Sequence, residues 1–306
     1  MSNYGMPYMG SKDGIISSIS PFLPEAENFY DIFGGGGSVT HFMMLNKSNK
    51  YRYFHYNEIV ESTANLFKDA IDGKYSYDIF KPEWVSRDDF FKRKDHDAYI
   101  RICWSFGNIQ RCYLFGKEIE QYKRSIHQAV VFSEFNDIAI KYLGIKSWPT
   151  NVDTIKKRRA YLRQKIKFNF KLEKIGRIKR LQQLEQLEQL QQLQQLQRLE
   201  RLQQLEQLEQ LERLVITSKS YDQIEIKPNS VIYCDPPYKN TTSYLNSFNK
   251  NLFLDWAANI DYPLFISEYD INDSRFDLIY TVEKRSMLSA DKTVGNKLEK
   301  LYWNRK

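Results

Sequence analysis

Four consecutive glycines, Gly34 to Gly37, separate FYDIF (29–33) from SVTHFMML (38–45). Glycine weakens both strand and helix interiors, so this run closes one element before another opens. FYDIF reads as a short strand and SVTHFMML as the start of a helix. Strand, glycine loop and helix in that order begin an α/β unit. Such a loop lets a ligand approach the backbone closely, and the helix behind it points N–H groups at that ligand. By itself the loop also fits a dinucleotide site. A GxxxxGK[ST] phosphate loop is excluded, because no lysine follows at the required place.

The pattern continues downstream. YRYFHYNE (51–58) reads as a second strand ending at Asn57 and Glu58, before a helix over about 59–72. An acid there can hold the two hydroxyls of a ribose, and it also suits a helix N-terminus on dipole grounds alone. SEFNDIAIKYLGI (133–145) reads as a helix stopped by Gly144. LVIT (214–217) is a strand. In VIYCDPPYKN (231–240) an apolar strand stops at Asp235, Pro236, Pro237 and Tyr238. The prolines lack an N–H for the ladder and fix their φ, so this is a stiff loop at a strand's C-terminal edge. In open α/β sheets that edge binds ligands. A helix over about 249–260, a strand PLFIS (263–267) and an antiparallel pair, DLIYTVEK (277–284) with KLEKLYWN (297–304), complete the pass. The expected fold is α/β: a Rossmann-like, mostly parallel sheet with a C-terminal antiparallel hairpin.

Charge is unevenly placed. The net charge of +7 conceals a stretch at 156–180 with 12 Lys and Arg and one acid, and the rest of the chain carries 33 basic against 37 acidic residues. A run of this kind is usually a solvated helical face, yet at this density it repels itself unless it meets a polyanion. Nucleic acid is the expected partner, through Lys156, Lys157, Arg158 and Arg159. Cys103, Cys112 and Cys234 show no CxxC spacing, and with four scattered histidines no metal site is expected. No signal peptide and no apolar run of membrane length stand out, so the chain reads as cytoplasmic, with no membrane partner.

From Leu181 to Leu214 a leucine recurs at every third position, twelve in all, between Gln, Glu and Arg pairs. These residues favour helix. Period three is wrong for a coiled coil, because each leucine steps back by about 60° around an α-helix. The tract therefore reads as a helical repeat insertion without a lasting apolar stripe, from which whole triplets can be removed with little loss. A dimerisation helix is the sharper alternative.

In their order, PYMGSK (7–12), DIFGGGGSV (31–39), NEI (57–59), SFGNIQRCYLFGK (105–117), CDPPY (234–238) and FISEY (265–269) resemble the Dam-like adenine-N6 DNA methyltransferases, phage-encoded members included. The resemblance implies a methyltransferase fold with S-adenosylmethionine as methyl donor and double-stranded DNA as substrate. The cell would be a bacterium or its phage-infected state. It implies cofactor contacts at Tyr8, Lys12, Asp31, Phe33, Gly34, Gly35, Gly36, Gly37, Glu58 and Asp235. Catalysis falls to Asp235, Pro236, Pro237 and Tyr238: the adenine is flipped out, Tyr238 stacks on it, and Asp235 with the Pro236 carbonyl accepts the N6 hydrogens. Gln110, Arg111 and Tyr113 match a DNA-contacting hairpin.

The expected division is a catalytic domain (1–75 and 214–306), a target-recognition region (76–180) and the leucine insertion (181–213). Two other readings stay open here. The same fold can methylate another planar amine, such as cytosine N4, RNA adenine or a protein glutamine. A catalytically silent DNA-binding or assembly protein is the second.

Overall fold

A computed structural model describes residues 4–173, 194–208, 212–237, 248–284 and 297–306. The chain forms two units, one from Met1–Asp72 with Gln204–Lys306, the other from Gly73–Gln203.

The first unit holds a seven-stranded sheet of β1 (Asn28–Asp31), β2 (Tyr53–Asn57), β3 (Leu214–Thr217), β4 (Ser230–Cys234), β5 (Leu264–Glu268), β6 (Asp277–Lys284) and β7 (Lys297–Trp303), in the order β3-β2-β1-β4-β5-β7-β6. The first five strands run parallel. β7 lies antiparallel to both β5 and β6, which gives the expected closing hairpin. The central strands β1, β4 and β5 are buried throughout, as near-continuous apolar strands of a parallel sheet should be. Helices α1 (Ile16–Ile19), α2 (Ser38–Asn46), α3 (Glu61–Ile71) and, last in the chain, α10 (Lys250–Asn259) belong to this unit. Phe253, Leu254 and Ala257 of α10 pack with Ile232, Leu264 and Ile266 of the sheet in one core.

The second unit is helical: α4 (Arg87–Arg93), α5 (Ala98–Cys103), α6 (Lys117–Phe132), α7 (Asp137–Leu143), α8 (Ile155–Glu173) and α9 (Gln194–Gln203). Gly144 ends α7 in the left-handed conformation, φ 64°. Its core gathers Ile126, Val130, Leu143, Ile155 and Leu162 with Leu196 from the leucine tract.

That last contact corrects the reading of the tract as an insertion without a fixed apolar face. Where described, it is divided between the units. Leu196, Leu199 and Leu202 of α9 are buried, and α9 packs against α5. In the first unit the chain tightens into a 3-10 turn, Gln204–Leu208, whose Leu205 and Leu208 are buried and which packs against α2 and α3. The reason is geometric. Over three leucines the backward drift stays within about 120°, which one interface can cover, and a 3-10 helix has three residues per turn, so period three forms a true stripe there. Each fully buried leucine contributes roughly 1.5–3 kcal/mol.

Register within the tract is set by other residues. Arg198 Nη1 donates to the carbonyls of Ile102, Cys103 and Ser105, satisfying acceptors at the end of α5. Glu200 pairs with Arg159. Among the described residues no helix is long and apolar enough to cross a membrane.

Candidate active site

Parallel pairing places the C-terminal ends of β1, β2 and β4 along one edge of the sheet. Asp31 is in register with Tyr56 on one side and Tyr233 on the other. The glycine loop, the Asn57–Glu58 end and the Asp235 elbow therefore emerge side by side.

The loop is braced from every side. Gly34 N donates to Asn57 O at 2.8 Å, and Tyr56 Oη donates to Gly35 O at 2.7 Å. The rings of Tyr56 and Phe67 stack at 4.3 Å beneath it. A Cβ on Gly34 would lie 2.2 Å from the Tyr56 ring. One on Gly37 would lie 2.2 Å from Phe67, and Gly37 also holds φ 69° as the N-cap of α2. Both positions require glycine. Residues 4–12 fold over the loop: Met6 N donates to Gly36 O at 2.6 Å, and the Tyr8 ring lies against Gly35 and Gly36.

The carboxylates have distinct placements. Glu58 accepts from Gly35 N and Val60 N, both at 2.9 Å, tying the loop to the end of β2 and the approach to α3. Asp31 is buried and accepts from Thr40 N and Thr40 Oγ1 at 3.1 and 2.7 Å, so it caps the first turn of α2. It thereby ties the end of β1 to the helix that follows the loop. Burial pushes its carboxyl up to about 7; the Thr40 bonds oppose this, while Asp235 and Glu58 add to it. Phe33 packs edge-on to Phe248 and Phe253 and tilted against Tyr221, an aromatic wall beside the loop.

Asp235 is partly exposed, Pro236 buried and Pro237 half-buried. Tyr238 lies outside the described residues. Lys12 Nζ donates to Asp235 Oδ2 at 2.6 Å and lies 3.5 Å from Glu299 Oε1. Lys12 is almost fully buried, and burial alone would lower its pKa; Asp235 and Glu299 outweigh that and hold it above the ordinary lysine value. Glu299 and Asn57 went unread in the sequence. Asn57 clamps strand ends, donating to Ile32 O and Lys219 O and accepting from Lys219 N. The alternation KLEKLYW was the available signal for Glu299, since it shares a strand face with Leu301.

The residues expected to meet DNA lie in the second unit, on a loop and on α8. A bridge between Ser105 and Tyr113 closes a loop. Within it Gln110 is buried and accepts from Arg101 Nε at 3.1 Å, while Arg111 is exposed. Tyr113 is buried and donates to Val85 O at 2.6 Å. Gln110 and Tyr113 thus brace the loop from within. On α8, Lys156 and Lys157 are exposed, and Lys157 pairs with Asp153. Arg158 donates to the carbonyls of Val130, Val131 and Asp153. Arg159 is fully buried, paired with Glu200 and bonded to Tyr77 Oη at 3.0 Å. Arg158 is half-buried, and helical spacing puts Arg159 on the same buried face as Ile155 and Leu162.

Compared with known proteins, residues 8–259 match the family described as D12 class N6 adenine-specific DNA methyltransferase. No curated protein matches the chain.

Proposed function

The chain belongs to the D12 class of N6 adenine-specific DNA methyltransferases, and from that premise we propose that S-adenosylmethionine binds at the glycine loop and that a flipped adenine of double-stranded DNA meets Asp235. The observation that carries this reading is the alignment of the Gly34–Gly37 loop, Glu58 and Asp235 at one edge of the sheet. A cradle that side chains would fill, bordered by carboxylates, fits a cationic sulfonium ligand with a ribose. When bound, that cofactor supplies an electrophilic methyl group.

The protein's part is orientation. Tyr8 lies over the loop and the Phe33 wall beside it, giving apolar surfaces for a purine and for the methionine chain. Glu58 can accept from ribose hydroxyls with its remaining lone pairs. Asp235, paired with Lys12, accepts an N6 hydrogen, and the rigid Pro236 carbonyl accepts the other. Both bonds draw the amine toward tetrahedral geometry and aim its lone pair at the methyl. Tyr238 supplies a stacking face for the flipped base. With the cofactor held by the glycine loop and Glu58, methyl transfer would leave N6 positively charged beside Asp235, and its extra proton would pass to solvent. The helical unit, through exposed cations such as Lys156, Lys157 and Arg111, contacts phosphates.

Incubation with labelled S-adenosylmethionine and duplex DNA, single-stranded DNA or RNA tests the reading. Label on N6 of adenine in duplex DNA is expected. Transfer to RNA alone, or no binding of S-adenosylmethionine by calorimetry, would overturn it.

A further inference from the structure

Two charged residues bury themselves behind Asp235, and the reaction as described uses only one of them. Glu299 is fully buried on β7, brought there by the antiparallel register that sets Ser267 opposite Leu301 and Glu268 opposite Lys300. Ser267 Oγ donates to Glu299 Oε1 at 2.9 Å. Lys12 is fixed from the other side, since its backbone N–H donates to Ser38 Oγ at 3.1 Å, at the start of α2. An ammonium has three donors. The Lys12 ammonium donates to Asp235 at 2.6 Å and to Gly10 O at 3.4 Å, and it lies 3.5 Å from Glu299.

We propose that Glu299 is a positioning residue for methyl transfer: its carboxylate offsets the Lys12 charge, so that the Lys12–Asp235–Glu299 cluster presents a net negative charge to the amine. The proposal rests on Asp235 being the acceptor for that amine. A lysine and one carboxylate form a neutral pair, and the lysine competes with the amine for the same oxygens. A second buried carboxylate draws the ammonium back and leaves Asp235 the stronger acceptor. The positive charge that reaches nitrogen during transfer then develops beside a negative cluster. Asp31, pushed up to about 7, and Cys234 are coupled to Asp235 as well, and so are the two tyrosines Tyr233 and Tyr269. Burial raises the pKa values of both tyrosines, with Asp235 and Glu299 adding to the effect, so both stay neutral near pH 7.

Glu299→Gln keeps the size and the acceptor for Ser267 but removes the charge. Expected is a fall in kcat on the order of 10-fold, the equivalent of one unit of carboxylate basicity. The dissociation constant for S-adenosylmethionine and the thermal midpoint should stay near wild type. The acid limb of the pH–kcat profile should move to lower pH, because Asp235 has lost a like-charged neighbour. Glu299→Asp should recover part of the loss. An unchanged kcat, or a loss that comes with a lowered midpoint and an unmoved pH profile, overturns the proposal. Should the Gln variant fail to fold, Ser267→Ala frees Glu299 from its anchor; it should lower kcat with KM unchanged, and wild-type kcat from it overturns the proposal equally. Wild-type protein run alongside separates the two ideas. If wild type transfers no methyl, the acceptor reading fails and takes this inference with it; if wild type is active and the variants match it, the inference alone fails.

Discussion

The sheet edge of the first unit and the cationic helix of the second were both marked by residue type, yet they use those residues in opposite ways. At the edge, an acid or glycine at each strand end lands beside the others, because parallel strands in register bring their ends together. On α8 four neighbouring cations scatter: Lys156 and Lys157 are exposed, Arg158 is half-buried and Arg159 is buried. A strand's end fixes where a residue goes. A helix turns each successive residue by about 100°, so neighbours in sequence share no destination. Charge on a helix therefore names a partner only after the buried face is known.

The sharpest way to break this contrast is at Asp235. Asp235→Asn should keep the fold and reduce kcat by about 10³-fold or more, as loss of a preorganised electrostatic group does. Methyl transfer with labelled cofactor measures it, and a folded variant at wild-type rate would remove Asp235 from the chemistry.

The leucine tract provides the next test, by two deletions of equal length. Removing residues 184–192 keeps Arg198, Glu200 and each leucine of the tract that is buried among the described residues, and should leave the thermal midpoint and activity near wild type. Removing residues 194–202 also preserves the triplet phase, so leucines slide into each buried position, but glutamines replace Arg198 and Glu200. That leaves the α5 carbonyls and the buried Arg159 without their partners, at about 3–5 kcal/mol. Denaturant unfolding distinguishes them. Equal stability would mean that the leucines alone set the register.

Asp31 gives a smaller, pH-dependent effect. Its folded value of about 7 lies above the ordinary 3.8. Between those values the folded state holds a proton that the unfolded state lacks, so this group's contribution is complete below about pH 4 and is lost as pH rises through 7. Asp31→Asn keeps an acceptor for Thr40 and should flatten the fall in stability between pH 5 and 8, a difference of a few kcal/mol at most, on the order of 1.4 per unit. Melting curves at both pH values test it; parallel curves for the two proteins would place the titration elsewhere.

Smallest is the effect at the exposed pair. Replacing Lys156 and Lys157 together by Gln should weaken DNA binding alike for all sequences and reduce the log–log salt slope by about 2, roughly 0.9 per phosphate contact. Binding isotherms at several salt concentrations measure it. An unchanged slope would remove α8 from the phosphate contacts.

The course of the sheet was legible because its strands are short apolar runs punctuated by glycine and proline. The glycine loop, Glu58 and Asp235 were legible because each sits where a strand stops. Lys12 was legible through the PYMGSK motif as a cofactor contact, and Glu299 only as a charged residue near the end of the chain; their burial together depends on α2, β4 and β7 meeting, a long-range fact that no local pattern carries. Arg159 did carry a local signal, its spacing from Ile155 and Leu162, which the density of charge around it obscured. For the tract, the drift of a period-three pattern holds for a long α-helix and fails for a short one that tightens into 3-10.

The neighbours of β1 also order events in time. It pairs with β2 across only α2 and its loops, Asn28 facing Tyr53, and with β4 only after the whole of Gly73–Gln203 has intervened. Closing so long a loop adds little to the equilibrium cost, which grows as the logarithm of length, but it delays the pairing. A ribosome-bound chain thus holds an open, apolar strand edge until its last third emerges, a period of exposure to aggregation and to chaperones. Pulse-labelled hydrogen exchange during refolding should find the β1–β2 amides protected before those between β1 and β4. Because Asp235 follows β4 directly, catalytic competence would arrive with the closing of that edge.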